Sequence, residues 1–224
     1  MLERTNDAER LLRPASLLEA LRNRTRDLHV QAERSGMIAD ILRGQGTREG
    51  YALLLRNLLP VYQTLERQLA GAARSPPVAA IVRPELARAC AILSDLKALA
   101  VDIPVLPMLP AAIEYVDAIA RAGTGDGGRL VAHAYARYLG DLSGGQILKR
   151  LLARSLDLHP AALSFYDFPA IDNIPAFKAD YRVAIDRAGD VSADFDAIVE
   201  EGARAFELNI VLSLALQDEA ARAL

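Results

Sequence analysis

Apolar residues recur at helical spacing almost from end to end of this chain, and that excludes most folds before any other feature is read. Between Thr47 and Leu69 they fall at Tyr51, Leu54, Leu58, Tyr62, Leu65 and Leu69. Steps of three and four place them on one face of a helix. Trp is absent, aromatics are 5% of the chain, and the strong helix formers Ala, Leu and Arg are abundant. The sequence predicts an all-α fold, a single-domain bundle of about seven or eight helices.

Local signals divide the chain. Ser16-Leu17-Leu18-Glu19 is a capping-box pattern, which opens a helix expected to reach about Arg34, with Gly36 suiting its end. Thr47 caps the second helix, in which Pro60 is expected to produce a kink. Pro84 suits the first turn of a third helix ending near Leu99. Val101–Pro110, with its prolines, reads as a connector. A fourth helix runs from Pro110 to Gly123, and Gly125-Asp126-Gly127-Gly128 is a turn. Arg129–Arg154 is helical on both sides of a glycine-rich centre, and Leu158–Ala170 is irregular or extended. Pro175–Arg187 and Ser192–Ala221 form the last helices. No repeat or long linker divides the chain, so residues 1–15 read as an N-terminal extension and 16–224 as one domain.

A net charge of −3 argues against a general electrostatic grip on nucleic acid. Apolar runs are broken by Arg56, Pro60, Asp102 or Pro107 before the roughly 18–20 residues that a membrane crossing needs. Met1–Arg13 is charged and carries no apolar signal-peptide core. The single cysteine, Cys90, excludes an internal disulfide and a multi-cysteine metal site. Flanked by Ala89 and Ala91, it reads as a small buried residue. A cytoplasmic setting is expected.

Tyr135–Gln146 is the most unusual stretch, because Gly140, Gly144 and Gly145 interrupt a helical pattern. Each costs about 1 kcal/mol relative to Ala inside a helix. Glycine permits bending and lets another body approach the backbone closely. As helix, Gly140 to Gly145 spans about 7.5 Å, enough to lie across much of a flat macrocycle. The alternatives are a plain loop with Asp141 as an N-cap, or an anion cradle. A phosphate loop is disfavoured, because no Gly-Lys-Ser/Thr ending follows.

The histidines are His29, His133 and His159. His159 precedes Pro160 in an expected loop, and His133 suits the core. His29 has Glu33 one turn on, where a carboxylate can orient a metal-ligating imidazole. A di-iron carboxylate site needs Glu-x-x-His motifs. The residues three before each histidine are Arg26, Leu130 and Leu156, so that class is out. A lone ligating histidine points to an iron whose other ligands belong to a macrocycle. Lys178 and Arg182 share a helix face, and Arg22 lies two turns before His29. Cations so placed can neutralise carboxylates of a ligand or simply form a solvated basic face.

Tyr135–Arg150, YARYLGDLSGGQILKR, closely resembles the distal-helix signature of heme oxygenases, and Thr25–Glu33, TRDLHVQAE, their proximal segment. Thr47–Tyr51, Phe177–Arg182 and Ala205–Ile210 are similar to further family blocks, in the family's order. The resemblance implies heme held between a proximal and a kinked distal helix, as substrate and cofactor together, and opened with O2 to biliverdin, CO and ferrous iron. It implies His29 as iron ligand with Glu33 bonding its other ring nitrogen. Asp141 would organise the water that carries protons to the reacting oxygen, with Tyr62, Arg137 and Asn209 in the same network. Gly140 and Gly144 would press on the heme. Arg22, Tyr135, Lys178 and Arg182 would hold the propionates, and Phe206 would pack at the heme edge.

Three positions depart from the animal enzymes. Ala136 replaces Thr, Ser213 replaces a second Phe and so implies a looser pocket wall, and Arg22 replaces Lys. No flavin or nicotinamide motif is present, so electrons are expected from an external ferredoxin or reductase. A phytochrome or bilin reductase is the expected biliverdin acceptor. Two other classes share features: a heme carrier or sensor, against which Asp141 argues, and a thiaminase-like hydrolase, which would need Cys90 as nucleophile in a pocket.

Overall fold

The computed structural model describes residues 16–100 and 105–222. The expected extension over 1–15 and the start of the Val101–Pro110 connector lie outside them. The described residues contain helices and 3-10 turns and no strand, as the helical spacing predicts. The helices are α1 (Leu17–Arg34), α2 (Gly36–Leu42), α3 (Arg48–Gly71), α4 (Pro76–Ile81), α5 (Ala89–Ala98), α6 (Pro110–Ala122), α7 (Leu130–Asp141), α8 (Gly144–Leu156), α9 (Ile174–Asp190) and α10 (Phe195–Arg222). None is long and apolar enough to cross a membrane.

The caps act where the sequence puts them. Ser16 Oγ accepts from Glu19 N at 3.2 Å and Thr47 Oγ1 from Gly50 N at 3.0 Å. Each satisfies an amide that the first helical turn leaves without a backbone partner. α3 runs unbroken through Pro60. Two local readings change. The chain makes a further short helix, α2, directly after α1. The expected single helix from Pro84 is instead a 3-10 turn, Pro84–Leu86, followed by α5. Extended backbone at Ala87 ends the turn. The Glu66 carboxylate then restarts the helix by accepting from Arg88 N at 2.6 Å and Ala89 N at 2.9 Å.

α3 is the centre of the core, with Tyr51, Leu55, Val61, Tyr62 and Leu65 fully buried. α10 lies along α1 in the same direction. Gly202 permits the approach, since a Cβ there would stand 2.5 Å from a methyl of Leu21. At the far end Gly36, with φ +61°, turns the chain from α1 into α2 directly against α10. A Cβ on it would fall 2.3 Å from the backbone of Ser213. The Ser213 hydroxyl donates to Ser35 O at 3.0 Å and accepts from Ile38 N at 3.1 Å. The Ser213 hydroxyl thus pins the α1–α2 corner. α7 also packs on α10, and α9 packs on both α1 and α7, yet α1 and α7 barely approach one another. A slot therefore opens between them.

Gly36→Ala combines a left-handed backbone with a clash against main chain, and each costs about 1–3 kcal/mol. We expect it to lower unfolding free energy by about 3 kcal/mol or more in denaturant titration. Gly44→Ala, with φ +73° but open space around it, should cost only about 1–2 kcal/mol.

Candidate functional site

The structure separates the three histidines by the state of their ring nitrogens. His133 is fully buried, and its Nε2 is 2.9 Å from Glu201 Oε1. His159 Nδ1 accepts from Ala161 N in an exposed 3-10 turn. His29, on α1, turns Nδ1 toward Glu33 Oε1 at 3.7 Å, and no partner within the described residues takes its Nε2. That distance selects which nitrogen faces the carboxylate but is too long for the expected hydrogen bond. Its ring lies 5.7 Å from that of Phe206 on α10, which in turn is 6.3 Å from Tyr135 on α7. The Tyr135 hydroxyl is 3.5 Å from Thr25 Oγ1. Phe206 thus lies between the helix that carries the open histidine and the helix that faces it.

The glycines of the distal segment sort into two kinds. Gly140 and Gly144 are exposed, and a Cβ on either would meet nothing within 4 Å. They present bare backbone to open space. A Cβ on Gly145 would instead stand 3.1 Å from the Tyr166 ring, so that glycine serves internal packing. α7 ends at Asp141, and Leu142 and Ser143 separate it from α8. The distal segment is a broken helix, as predicted. Asp141 is the last residue of α7 and does not act as the N-cap of α8.

The Asp141 carboxylate is buried and accepts a short hydrogen bond from Tyr62. The Tyr62 hydroxyl accepts from Arg137 Nε at 3.0 Å and Nη2 at 2.8 Å. Arg137 also donates to Asn209 Oδ1, and its Nη2 is 3.7 Å from Asp141 Oδ1. Asn209 Nδ2 donates to Ala205 O at 2.9 Å and to the Tyr115 hydroxyl at 3.1 Å. The four polar residues expected in one network are together, and Tyr115 joins them. Sequence reading missed Tyr115, although a tyrosine on the buried face of α6 needs a hydroxyl partner. Burial pushes the Asp141 carboxyl above its ordinary range, against the opposing pull of Arg137, the Tyr62 hydroxyl and Arg88. Burial likewise holds the Tyr62 phenol far up and raises Tyr115 to about 12. Both phenols therefore stay neutral near neutral pH, and Arg137 is the network's fixed charge.

The cations on α9 are short of partners. Lys178 and Arg182 make no ion pair among the described residues, and Arg182 Nε is buried without a hydrogen-bond acceptor. Burial and the neighbouring Arg182 charge lower the Lys178 amine. Two like charges held together in this way suit a dianionic ligand. Arg22 and Glu33 are exposed on α1, and Arg22 contacts none of the other expected anchors. An imidazole nitrogen left open on α1, bare backbone in the distal segment and two unpaired cations on α9, which packs on both α1 and α7, fit a flat iron macrocycle with carboxylate arms.

Cys90 is exposed, not buried as its alanine neighbours suggest. It lies in the first turn of α5, where its side chain faces a surface groove of about 650 Å³. The groove is lined by Arg88, Tyr166 and Phe168 among others, and no histidine is among them. Its carboxylate, Asp167, is already paired with Lys149. A cysteine nucleophile has no base there.

The comparisons agree with this geometry. A family model described as heme oxygenase matches residues 15–215. Human heme oxygenase 1 is 37% identical over 210 residues, which cover 92% of this chain and 73% of the human protein. Heme oxygenase 1 of Synechocystis is 34% identical over 197 residues, 87% of this chain and 82% of that one. Its crystal structure in complex with heme superposes with a TM-score of 0.85 at 33% identity, covering 93% of this chain and 96% of that one. Heme oxygenase from Leptospira interrogans gives 0.82 at 34% identity, with 89% and 98% covered. With an imidazole nitrogen left open on α1, bare glycine backbone in the broken distal helix, and matches of this extent, the chain belongs to the heme oxygenase family.

Proposed function

We propose that the slot between α1 and α7 is where this chain carries out its family's reaction, the oxidative opening of heme to biliverdin with release of CO and ferrous iron. The observation that carries the assignment is the unpartnered Nε2 of His29 on α1 together with the bare backbone of Gly140 and Gly144 in the distal segment. Heme supplies the iron that activates O2 and is itself the macrocycle that is cut.

The residues divide the work. His29 Nε2 holds the iron from the proximal side. Glu33, at 3.7 Å and half-exposed, would orient the imidazole and polarise it only weakly. Lys178 and Arg182, with Arg22 and Tyr135, bind the propionates and set the in-plane orientation, and Phe206 packs at the edge. Gly140 and Gly144, with open space where a side chain would be, would let the ring approach the distal backbone closely. Asp141 Oδ2 is committed to Tyr62, so its remaining lone pairs can hold water in the slot. A carboxyl raised by burial releases and takes back a proton more readily near neutral pH than an ordinary one. Arg137, Asn209 and Tyr115 keep it in place. Residues 16–224 form the catalytic domain in this reading. A cytoplasmic setting, electrons from a ferredoxin or reductase, and a phytochrome or bilin reductase as acceptor complete the proposal; they rest on composition and on the chemistry's need for external electrons.

With heme, O2 and a generic reductant, the purified chain should yield biliverdin and CO. His29→Ala should lose the histidine-ligated heme spectrum, and added imidazole should restore it. An unchanged spectrum would transfer the ligand role to another residue.

Arg182→Glu should leave that spectrum intact and yield a mixture of bilin isomers by chromatography. A charge-assisted contact is worth about 1.5–3 kcal/mol, and each 1.4 kcal/mol or so is tenfold in the ratio of heme orientations. The wild type is expected to cut at the α-meso carbon. A single unchanged isomer from both Arg182→Glu and Lys178→Glu would assign orientation to the pocket walls.

Asp141 also links stability to pH. Its folded-state value lies above that of the unfolded chain, about 3.9. Folded protein therefore keeps a proton that unfolded protein has lost, and the benefit disappears as pH rises through the folded value. The stability of wild type relative to Asp141→Asn should fall with rising pH across that window and then level off. A difference that grows with pH would mean that pairing with Arg137 outweighs burial.

A further inference from the structure

Arg88 is not among the residues proposed to hold heme or to form the Asp141 hydrogen-bond network, yet its side chain is one of the most heavily used in the molecule. It is 5% exposed and forms no ion pair among the described residues. Its guanidinium donates to four main-chain carbonyls instead. Two lie just before it, Glu85 O at 3.2 Å and Leu86 O at 3.2 Å. The other two are Phe165 O at 3.4 Å and Asp167 O, the latter at short range. The same group lies over the Phe168 ring, 4.1 Å from its centre. A buried guanidinium satisfied by carbonyls on two separate segments acts as a cross-brace.

The segment it braces, Ser164–Phe168, forms the back wall of the broken distal helix. Asp95 on α5 grips the same segment from its other edge, accepting from Ser164 N and Phe165 N at 2.8 Å each. The amide and the carbonyl of Phe165 are thus both held by the α5 region. The Phe165 ring meets Tyr62 edge-on at 5.4 Å, and Tyr62 donates to Asp141. The Tyr166 ring lies where a Cβ on Gly145 would be 3.1 Å from it, and Tyr166 O accepts from Gln146 Nε2 at 2.7 Å. Glu66, one turn beyond Tyr62 on α3, holds the Arg88 amide itself. The braced segment thus touches Tyr62 and the first turn of α8, and it is held further by Lys149 on α8, which pairs with Asp167, and by Tyr51 on α3, on which Tyr166 stacks.

We propose that Arg88 is a positioning residue for heme opening: through Phe165 and Tyr166 its cross-brace fixes where Asp141 and the Gly144–Gly145 backbone stand relative to the heme face. The proposal rests on the slot being the site of heme opening. Burial lowers the Arg88 guanidinium, and the Asp141 carboxylate opposes that shift, so the two groups lie within electrostatic reach of one another.

The test uses Arg88→Lys and Phe165→Leu in the full chain, with wild type alongside. Lys keeps the charge but cannot reach carbonyls on both segments. In heme-free protein, amide hydrogen exchange at Gly144 and Gly145 should speed up in both variants, a readout independent of turnover. With heme, the proximal spectrum and the heme dissociation constant should stay within about threefold of wild type, while the rate of biliverdin formation falls about tenfold or more, since small misplacements of reacting groups are costly. Exchange and turnover at wild-type values in Arg88→Lys would overturn the brace and leave only a charge. Should Arg88→Lys not fold, unchanged exchange and turnover in Phe165→Leu would overturn it equally. Absence of biliverdin from the wild type would instead refute the assignment of the slot, whatever the exchange showed.

Discussion

A buried carboxylate must find partners, and those that Asp141 finds tie the bundle together. Isolated in a low-dielectric interior it would cost several kcal/mol. The Tyr62 hydroxyl on α3 donates to it, and Arg137 on α7 donates to Tyr62 and to Asn209 on α10, which reaches Tyr115 on α6. Four helices therefore meet at one network. A network with every member satisfied is rigid, because loss of one contact leaves the others unpaired in a dry environment. The open slot beside it needs that rigidity. α1 and α7 are kept apart because each is anchored elsewhere, α1 on α10 at Gly202 and Gly36, and α7 through Arg137 and Asp141.

What was legible in the sequence follows from the range over which each signal acts. Caps at Ser16 and Thr47, the proline at the start of α6 and the interruption at Gly140–Gly145 are local, and the structure has them where the sequence puts them. His29 stands out through its spacing to Glu33 and the resemblance of its segment to the family's proximal one, and the structure brings the two side chains to 3.7 Å. The short helix α2 was not, because seven residues carry too little periodicity to stand out. The fragmentation before α5 was hidden for another reason. It depends on Glu66, 22 residues earlier in the chain, supplying a cap that no local pattern contains. Cys90 looked buried between two alanines, but the helix face it occupies depends on where α5 begins. The fastening role of Ser213 was hidden too, since its partners Ser35 and Ile38 are brought to it only by the turn at Gly36. Arg88 gave no signal at all: an arginine satisfied by carbonyls has no charge partner to search for.

Gly140 and Gly144 have a consequence for how such a protein evolves. Nothing in the fold occupies the space a side chain would take at either position, and Gly140 lies within a helix, where alanine is favoured by about 1 kcal/mol. For the chain without its ligand, an alanine at Gly140 is therefore harmless or beneficial. The penalty falls only when a flat molecule lies against that backbone and meets a methyl group. Selection for folding and selection for chemistry thus pull in opposite directions on the same codon, and the glycine persists only while the reaction is needed. A lineage that keeps this bundle but abandons heme should shed it early, through substitutions that make the protein more stable as they end its activity.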